Sequence, residues 1–116
     1  MRNRVLTDAG LRILSTQTIS LNNADAGRTA VAGVGDKIEI TLQTIGAGSF
    51  GNPNVSSGSV VFLGQSSVGP PIPAGLTQLY RFEAVAPGRA DITIPHTGDL
   101  PAFPANPAFA VGVQVR

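Results

Sequence analysis

The sequence has 116 residues, a length that buries one hydrophobic core and predicts a single domain. Apolar residues make up 42% and charged residues only 13%, and this balance predicts a folded chain rather than a disordered one. The formal net charge is +1 and the basic residues form no patch, so nucleic acid is not an expected partner.

The absence of cysteine excludes disulfides, thiolate nucleophiles and cysteine metal sites. No run approaches the roughly 20 apolar residues that a membrane-spanning helix needs, so no membrane span is expected. Residues 1–22 lack the continuous apolar run of a signal peptide. We therefore expect a chain that is either cytoplasmic or exported after the removal of a leader.

Alternation of apolar and polar residues predicts β-strands along most of the chain. In the clearest case Ile38, Ile40 and Leu42 alternate with polar residues, which places one face of the strand in the core. The turn residues Ala86-Pro87-Gly88 join two further alternating runs and predict a hairpin. The predicted strands are Thr18–Leu21, Thr29–Val34, Asp36–Leu42, Gly58–Leu63, Leu79–Ala84, Arg89–Ile94 and Phe109–Val115.

Short strands separated by Gly, Pro and Asn are typical of an all-β domain. We expect an antiparallel immunoglobulin-like β-sandwich of about seven to eight strands over residues 18–116. Residues 1–17 are predicted to form an N-terminal arm or an extra strand, and the one helical signal is a short turn at Asp8–Ser15.

Three long stretches rich in Gly or Pro interrupt the predicted strands, and segments of this length tend to be functional or disordered. Proline restricts the backbone, so these stiff loops suit the recognition of a partner. The alternative is that the loops only cover sheet edges. The predicted loops are Thr44–Ser57, Gln65–Gly75 and Pro95–Pro107.

Gly46, Gly48 and Gly51 form a Gly-x-Gly-x-x-Gly pattern. A dinucleotide site would need a helix to open directly after the pattern, but Asn52-Pro53 follows and no helical period appears. The pattern is therefore interpreted as a flexible turn that leaves a strand.

His96 is the only histidine, and composition alone would allow a hydrolase triad with a serine and an aspartate. No Gly-x-Ser-x-Gly sequence is present, and the Pro95–Gly98 turn predicts that His96 is a solvated loop residue. One histidine with scattered carboxylates does not make a tetrahedral metal site. The sequence therefore predicts no enzyme, no metal and no cofactor.

Phe50 and Phe103 lie in the predicted loops rather than in periodic strands. A loop aromatic either covers the end of the core or serves as an anchor for a partner. The first interpretation is favoured for both rings, and both remain candidates for the second.

A fixed order of short segments runs through the domain. It reads Thr18–Leu21, Gly27-Arg28-Thr29, Val34–Ile40, Gly46–Gly51, Gly75-Leu76-Thr77, Tyr80–Ala84, Ala86-Pro87-Gly88, Ile92-Thr93-Ile94, Pro95–Gly98 and Phe109–Val115. This order resembles the chagasin-like inhibitors of papain-type cysteine proteases, a family of immunoglobulin-like β-sandwiches.

In that family three loops at one end enter the protease cleft, and they carry Asn-Pro-Thr-Thr-Gly, a Gly-rich middle segment and Arg-Pro-Trp. The corresponding segments here are Gly46–Phe50, Ala74–Thr77 and Ile94–Gly98. The first keeps its glycines without the Asn-Pro-Thr-Thr-Gly sequence, and the third has neither Arg nor Trp.

The resemblance implies a non-catalytic protein-binding module that uses the loops at one end, with a protein such as a papain-type protease as its partner. The alternative is a structural or self-assembling immunoglobulin-like module that forms a homo-oligomer, because chains with little net charge associate readily. The candidate binding residues are Gly46, Gly48, Phe50, Gly75, Thr77, Pro95, His96, Thr97 and Phe103.

Overall fold

The computed structural model describes residues 16–67, 75–98 and 106–116, and these residues form a β-sandwich. The strands are β1 (Thr18–Asn22), β2 (Thr29–Ala32), β3 (Lys37–Gln43), β4 (Ser49–Phe50), β5 (Asn54–Val55), β6 (Val60–Ser67), β7 (Thr77–Ala84), β8 (Gly88–Ile94), β9 (His96–Thr97) and β10 (Phe109–Val115). One short 3-10 helix spans Asn23–Asp25. Among the described residues, no helix is long and apolar enough to cross a membrane.

Two four-stranded sheets form the layers of the sandwich. One sheet has the order β1-β3-β7-β6, and the other has the order β2-β10-β8-β5. A two-stranded ladder between β4 and β9 lies at the end of the layers. The predicted all-β sandwich is confirmed.

Two strand pairs differ from the expected, wholly antiparallel arrangement. β1 runs parallel to β3, and β2 runs parallel to β10. The 3-10 helix between β1 and β2 moves the chain from an edge of one sheet to an edge of the other, so that each short strand adds to an existing ladder. Asn22 fixes this crossover, because its Oδ1 accepts from Ala24 N at 2.8 Å and its own N–H donates to Asp25 Oδ2 at 2.9 Å.

The core lies between the sheets and follows the alternation of the sequence. Ile38, Ile40 and Leu42 of β3 are fully buried, and the polar residues between them face outward. Tyr80 and Phe82 of β7 pack from the same sheet, and the apolar residues of β8 and β10 pack from the other. Each large apolar side chain buried in this way contributes about 1.5–3 kcal/mol to folding.

The predicted loops contain more strand than expected. The first holds β4 and β5, the third holds β9, and β6 continues to Ser67, beyond the expected end at Leu63. The strand predicted over Thr29–Val34 ends earlier, at Ala32. Isolated two-residue strands and strand ends carry too little periodicity to be seen in a sequence.

The predicted arm is described only in its last two residues. Gln17 lies beside the start of β3, where its carbonyl accepts from Lys37 N at 2.8 Å and its N–H donates to Asp36 Oδ1 at 3.0 Å. The helical turn expected at Asp8–Ser15 lies outside the described residues.

Candidate functional site

The beginning of the first predicted loop and the described ends of the second and third lie at one end of the sandwich. The rest of the first loop runs along β8 to the opposite end, where the Ser57 hydroxyl donates to the carbonyl of Arg89. β3 ends at Gln43 opposite Thr77, where β7 begins, and β6 ends at Ser67 opposite Gln78. The first and third loops join directly, because β4 pairs with β9. Residues 43–51, 75–78, 95–98 and 106–107 are called the loop end below.

His96 is held inside the junction between the first and third loops. Its ring meets the ring of Phe50 edge-on, with centroids 4.7 Å apart and planes at 81°. Its Nε2 lies 3.1 Å from Oγ1 of Thr44, a fully buried side chain. His96 is half-buried, so its interpretation as a solvated loop residue is wrong: the imidazole packs the loops together.

Phe50 supports the loop end from below. The ring is 4% exposed and belongs to the core cluster, as favoured from the sequence. Little of the ring is therefore offered to the outer surface, and Phe50 mainly fixes the backbone of the loop end. Phe103, the second loop aromatic, lies outside the described residues.

Glycine is required at two of the candidate positions because the backbones of different loops touch there. Gly48 has φ +91°, and a Cβ at this position would overlap the carbonyl oxygen of Thr97. Gly75 has φ +127°, and a Cβ there would overlap the carbonyl oxygen of Thr44. These two glycines therefore allow the first loop to contact the third and the second. Gly46, by contrast, lies in open space.

The side chain of Gln78 pairs with the backbone of Phe50. Its Oε1 accepts from Phe50 N at 2.8 Å, and its Nε2 donates to Phe50 O at 2.9 Å. Gln78 is 4% exposed and belongs to β7, so the sheet that contains β7 fixes the first loop at Phe50. A primary amide carries an acceptor and two donors, which matches the N–H donor and the C=O acceptor of one residue.

Two further amides repeat this pairing at the outer side of the loop end. Asn106 Oδ1 accepts from Ile45 N at 2.7 Å, and its Nδ2 donates to Ile45 O at 2.9 Å. Asn23 Oδ1 accepts from Gln43 N at 2.8 Å, and its Nδ2 donates to Gln43 O at 3.3 Å. Side-chain amides thus hold the backbone at Gln43, the last residue of β3, and at Ile45 and Phe50 of the first loop.

The second loop joins the same network through Gln43. Its Nε2 donates to the carbonyl oxygens of Thr44, Gly75 and Leu76 at 2.8, 3.2 and 3.2 Å. Thr77 donates its hydroxyl to Gln43 Oε1. The predicted site residue Thr77 therefore positions the loops, and the Gln and Asn residues of this network were not among the candidates predicted from the sequence.

The remaining candidates lie where the third loop leaves β8. The carbonyl of Pro95 accepts from Gly51 N at 2.8 Å, which ties the third loop to the first. Thr97 is exposed and pairs with Ser49 through the β4–β9 ladder.

Tyr80 supports the same junction from within the core. Its hydroxyl donates to Gly51 O at 2.7 Å, and the side chain is 1% exposed. Burial raises the pKa of Tyr80 to about 12, because the charged phenolate would be deprived of water. The phenol therefore remains a hydrogen-bond donor at any physiological pH.

The outer surface of the loop end is neutral and partly apolar. Ile45 is 63% exposed, the largest exposed fraction among the large apolar side chains of the described residues. From Ile40 to Tyr80 the sequence contains no Asp, Glu, Lys, Arg or His. Within residues 16–67, 75–98 and 106–116, no three His, Cys, Asp or Glu side chains come together as a metal site would require.

Comparison with known proteins gives a structural likeness. No protein-family profile and no curated protein matches the sequence. The cysteine protease inhibitor EhICP2 from Entamoeba histolytica superposes with a TM-score of 0.66 at 14% identity, covering 87% of this chain and 97% of the other. Amebosin superposes with a TM-score of 0.60 at 17% identity, covering 88% and 99%. The fold that the resemblance implied is thereby confirmed: the chain has the same β-sandwich fold as these two proteins.

Proposed function

We propose that this chain is a non-catalytic protein-binding module whose loop end binds a papain-type cysteine protease. The observation that carries the proposal is the fixed convergence of the predicted loops at one end, on a fold shared with a cysteine protease inhibitor. An inhibitor is not an enzyme, which agrees with the prediction of a non-catalytic role.

The loop end has the rigidity that a binding surface of this kind needs. A loop that is ordered before binding loses less conformational entropy when it meets a partner. Here the backbone N–H and C=O groups of Gln43, Ile45 and Phe50 are each paired with a side-chain amide, and two glycines bring the loop backbones into contact. This network supports binding without rearrangement of the first loop.

The exposed residues of the loop end define what the surface offers. They are Ile45, Gly46 and Ala47 of the first loop and Thr97, Gly98 and Pro107 of the third. The surface is small, uncharged and centred on one aliphatic side chain, so it suits a cleft with apolar walls rather than a charged surface. The candidates His96, Thr77 and Phe50 hold in place the loops that carry these exposed residues.

Inhibition of papain tests the proposal directly. The protein is titrated into papain with a fluorogenic peptide substrate, and reversible inhibition is expected below micromolar concentration. The variant Ile45→Asp should weaken inhibition at least about tenfold, because a carboxylate would be desolvated in the interface. Val34→Asp is the matched control, because Val34 is 53% exposed in the turn at the opposite end of β3.

Two results would contradict the proposal. The first is papain that keeps full activity at micromolar concentrations of the chain and shows no binding by calorimetry. The second is inhibition that falls equally in Ile45→Asp and Val34→Asp, because the loop end would then not be the contact surface.

The outer edge of β6 favours a second candidate function, self-assembly into a homo-oligomer. β6 is the last strand of its sheet, and its consecutive residues Val61, Phe62 and Leu63 are 38%, 40% and 51% exposed. Natural edge strands are commonly protected by charge or proline, and β6 contains neither. Its one protective feature is a register shift between Phe62 and Gly64.

Light scattering across a wide concentration range tests this candidate. Antiparallel pairing of two β6 edges brings no like charges together, so the mass should rise with concentration from one chain toward two. Leu63→Lys should keep the chain monomeric, whereas Val34→Lys should behave as the unmodified protein. A constant mass of one chain at all concentrations would exclude self-assembly.

A further inference from the structure

A cavity of about 180 Å³ lies at the side of the loop end, between the 3-10 helix, the end of β3, the first loop and the start of β10. Its apolar lining comes from Ala26, Ile45, Phe50, Pro107, Ala108 and Phe109. None of the residues predicted from the sequence, other than Phe50, belongs to it. The cavity therefore extends the loop end towards the 3-10 helix and the start of β10.

The polar side chains in the cavity wall already have partners. Asn23 pairs with the backbone of Gln43, and Asn106 pairs with the backbone of Ile45. The side-chain nitrogen Nε2 of Gln43 donates to three backbone carbonyls. With these bonds in place the cavity offers mainly apolar surface, and no ionisable side chain lines it. A neutral, apolar group is the occupant that this chemistry fits.

The size of the cavity sets the size of the occupant. An apolar cavity of about 150 Å³ in another protein holds a benzene-sized molecule. The cavity here has about 180 Å³, which accommodates one leucine or phenylalanine side chain and no drug-sized ligand. Its walls are fixed by the same amide pairs that fix the first loop, so it is formed before binding.

The position of Ile45 connects the cavity with the loop end. Ile45 lines the cavity, is 63% exposed and belongs to the first loop. A protein bound at the loop end therefore reaches the cavity mouth without crossing any other part of the sandwich. A partner with an apolar side chain at this edge of its surface would bury that side chain next to Ile45.

We propose that this cavity is a subsite that receives one apolar side chain, leucine- or phenylalanine-sized, from the protein bound at the loop end. The proposal rests on the proposed function for the source of the side chain. The fit of the cavity to a neutral apolar group stands on its own lining and is tested separately.

The first test uses a small probe and needs no protease. The ¹⁵N-labelled protein is titrated with N-acetyl-L-phenylalaninamide, and N-acetyl-glycinamide serves as the control ligand. Chemical-shift changes are expected at the backbone amides of Ile45, Ala108 and Phe109 with the first ligand only. The variant Ala108→Trp fills the cavity from an exposed wall position and should abolish these changes. Ala110→Trp is the control, since Ala110 is also exposed but lies outside the cavity.

The second test measures papain inhibition by the same variants. Ala108→Trp should weaken inhibition about tenfold, and Ala110→Trp should leave it unchanged. The smaller substitution Ala26→Leu at the opposite wall should act in the same direction if the tryptophan variant does not fold.

The outcomes separate the two proposals. Phenylalaninamide binding without papain inhibition would support the cavity and contradict the proposed function. Papain inhibition that is insensitive to Ala108→Trp and Ala26→Leu would overturn the subsite and leave the function standing. Equal shift changes with both small ligands would also overturn it, because the cavity would then not select an apolar side chain.

Discussion

Replacement of Gln78 by methionine tests whether the side-chain amides hold the loop end. Methionine keeps the length and unbranched shape of glutamine but has no amide, so Gln78→Met retains the packing and removes both hydrogen bonds to Phe50. The N–H and C=O of Phe50 then lose their partners in a buried setting.

The expected cost follows from the two lost bonds. Each unsatisfied buried group costs about 1–3 kcal/mol, and access of water at the end of the sandwich lowers the sum. We expect the free energy of unfolding to fall by about 2–4 kcal/mol, a large part of the roughly 5–15 kcal/mol that a domain has in total. Gln65→Met on the exposed part of β6 should change it by less than about 0.5 kcal/mol.

Urea denaturation measures both variants, provided that the slope with denaturant is unchanged. Hydrogen exchange locates the effect: the Phe50 amide should lose more protection in Gln78→Met than the Ile40 amide in the middle of β3. A loss of stability below about 0.5 kcal/mol, or equal loss of protection at both amides, would refute the reasoning. In either case Gln78 would not be the group that fixes the first loop.

Replacement of Gln78 by glutamate gives an independent check that the side chain at this position is buried. Gln78→Glu keeps an acceptor for Phe50 N but places a carboxylate against Phe50 O, so burial raises the pKa of the introduced acid in the folded state. A raised folded pKa means that the stability of this variant is greatest at low pH and is lost as the pH rises through and above the ordinary glutamate value of about 4.3. Gln78→Met should show no such difference from the unmodified protein between pH 4 and 7. A constant gap between the two variants over this range would argue against burial of the carboxylate.

Three further predictions concern the same end of the molecule. Gly48→Ala should destabilise the chain by at least about 1–2 kcal/mol in urea denaturation, because a φ of +91° is unfavourable for alanine and the added methyl group overlaps Thr97. The control Gly58→Ala, whose methyl group meets open space, should cost less. The titration of Tyr80 should leave stability unchanged near neutral pH and should lower it as the pH rises from about 10 to about 12, because the folded state holds the phenolic proton more tightly. Tyr80→Phe should lose this alkaline decrease, which circular dichroism follows. Association with papain should change less than about threefold between low and high salt in stopped-flow measurements, since a neutral loop end is not steered by charge.

The sandwich could be predicted because burial imposes a period of two on every long strand. Ile38, Ile40 and Leu42 are buried as their spacing predicts, and β10 shows the same alternation around Val111 and Val113. The parallel pairing of β1 with β3 and of β2 with β10 could not be predicted. The direction of these strands is set by the crossover between β1 and β2, whose capping residues form a local motif with no periodic signal.

The sequence offered candidate residues for the site but not the contacts that these residues make. The sequence located the loops that converge, and the structure brings Gly48, Thr97 and His96 together there. The sequence did not predict that His96 would be packed inside the junction. A histidine between proline and threonine has the same local sequence whether its ring faces water or a neighbouring loop. The amide pairs of Gln78 and Asn106 join positions that are 28 and 61 residues apart, a separation that no local pattern reports.

The buried and the exposed residues of the loop end have different roles. This difference explains why the fold resembles that of an inhibitor while the loops lack the Asn-Pro-Thr-Thr-Gly and Arg-Pro-Trp segments. Two of the side chains that hold the loops, Gln78 and Thr44, are buried, whereas the tip residues Ile45 and Ala47 are exposed. Substitution at an exposed tip costs the fold almost nothing, while substitution of a buried amide leaves unpaired groups. A loop end built in this way tolerates new contact residues on a constant backbone. Differences in partner are therefore expected to arise from the tip residues and from the walls of the neighbouring cavity, without a change in the sandwich itself.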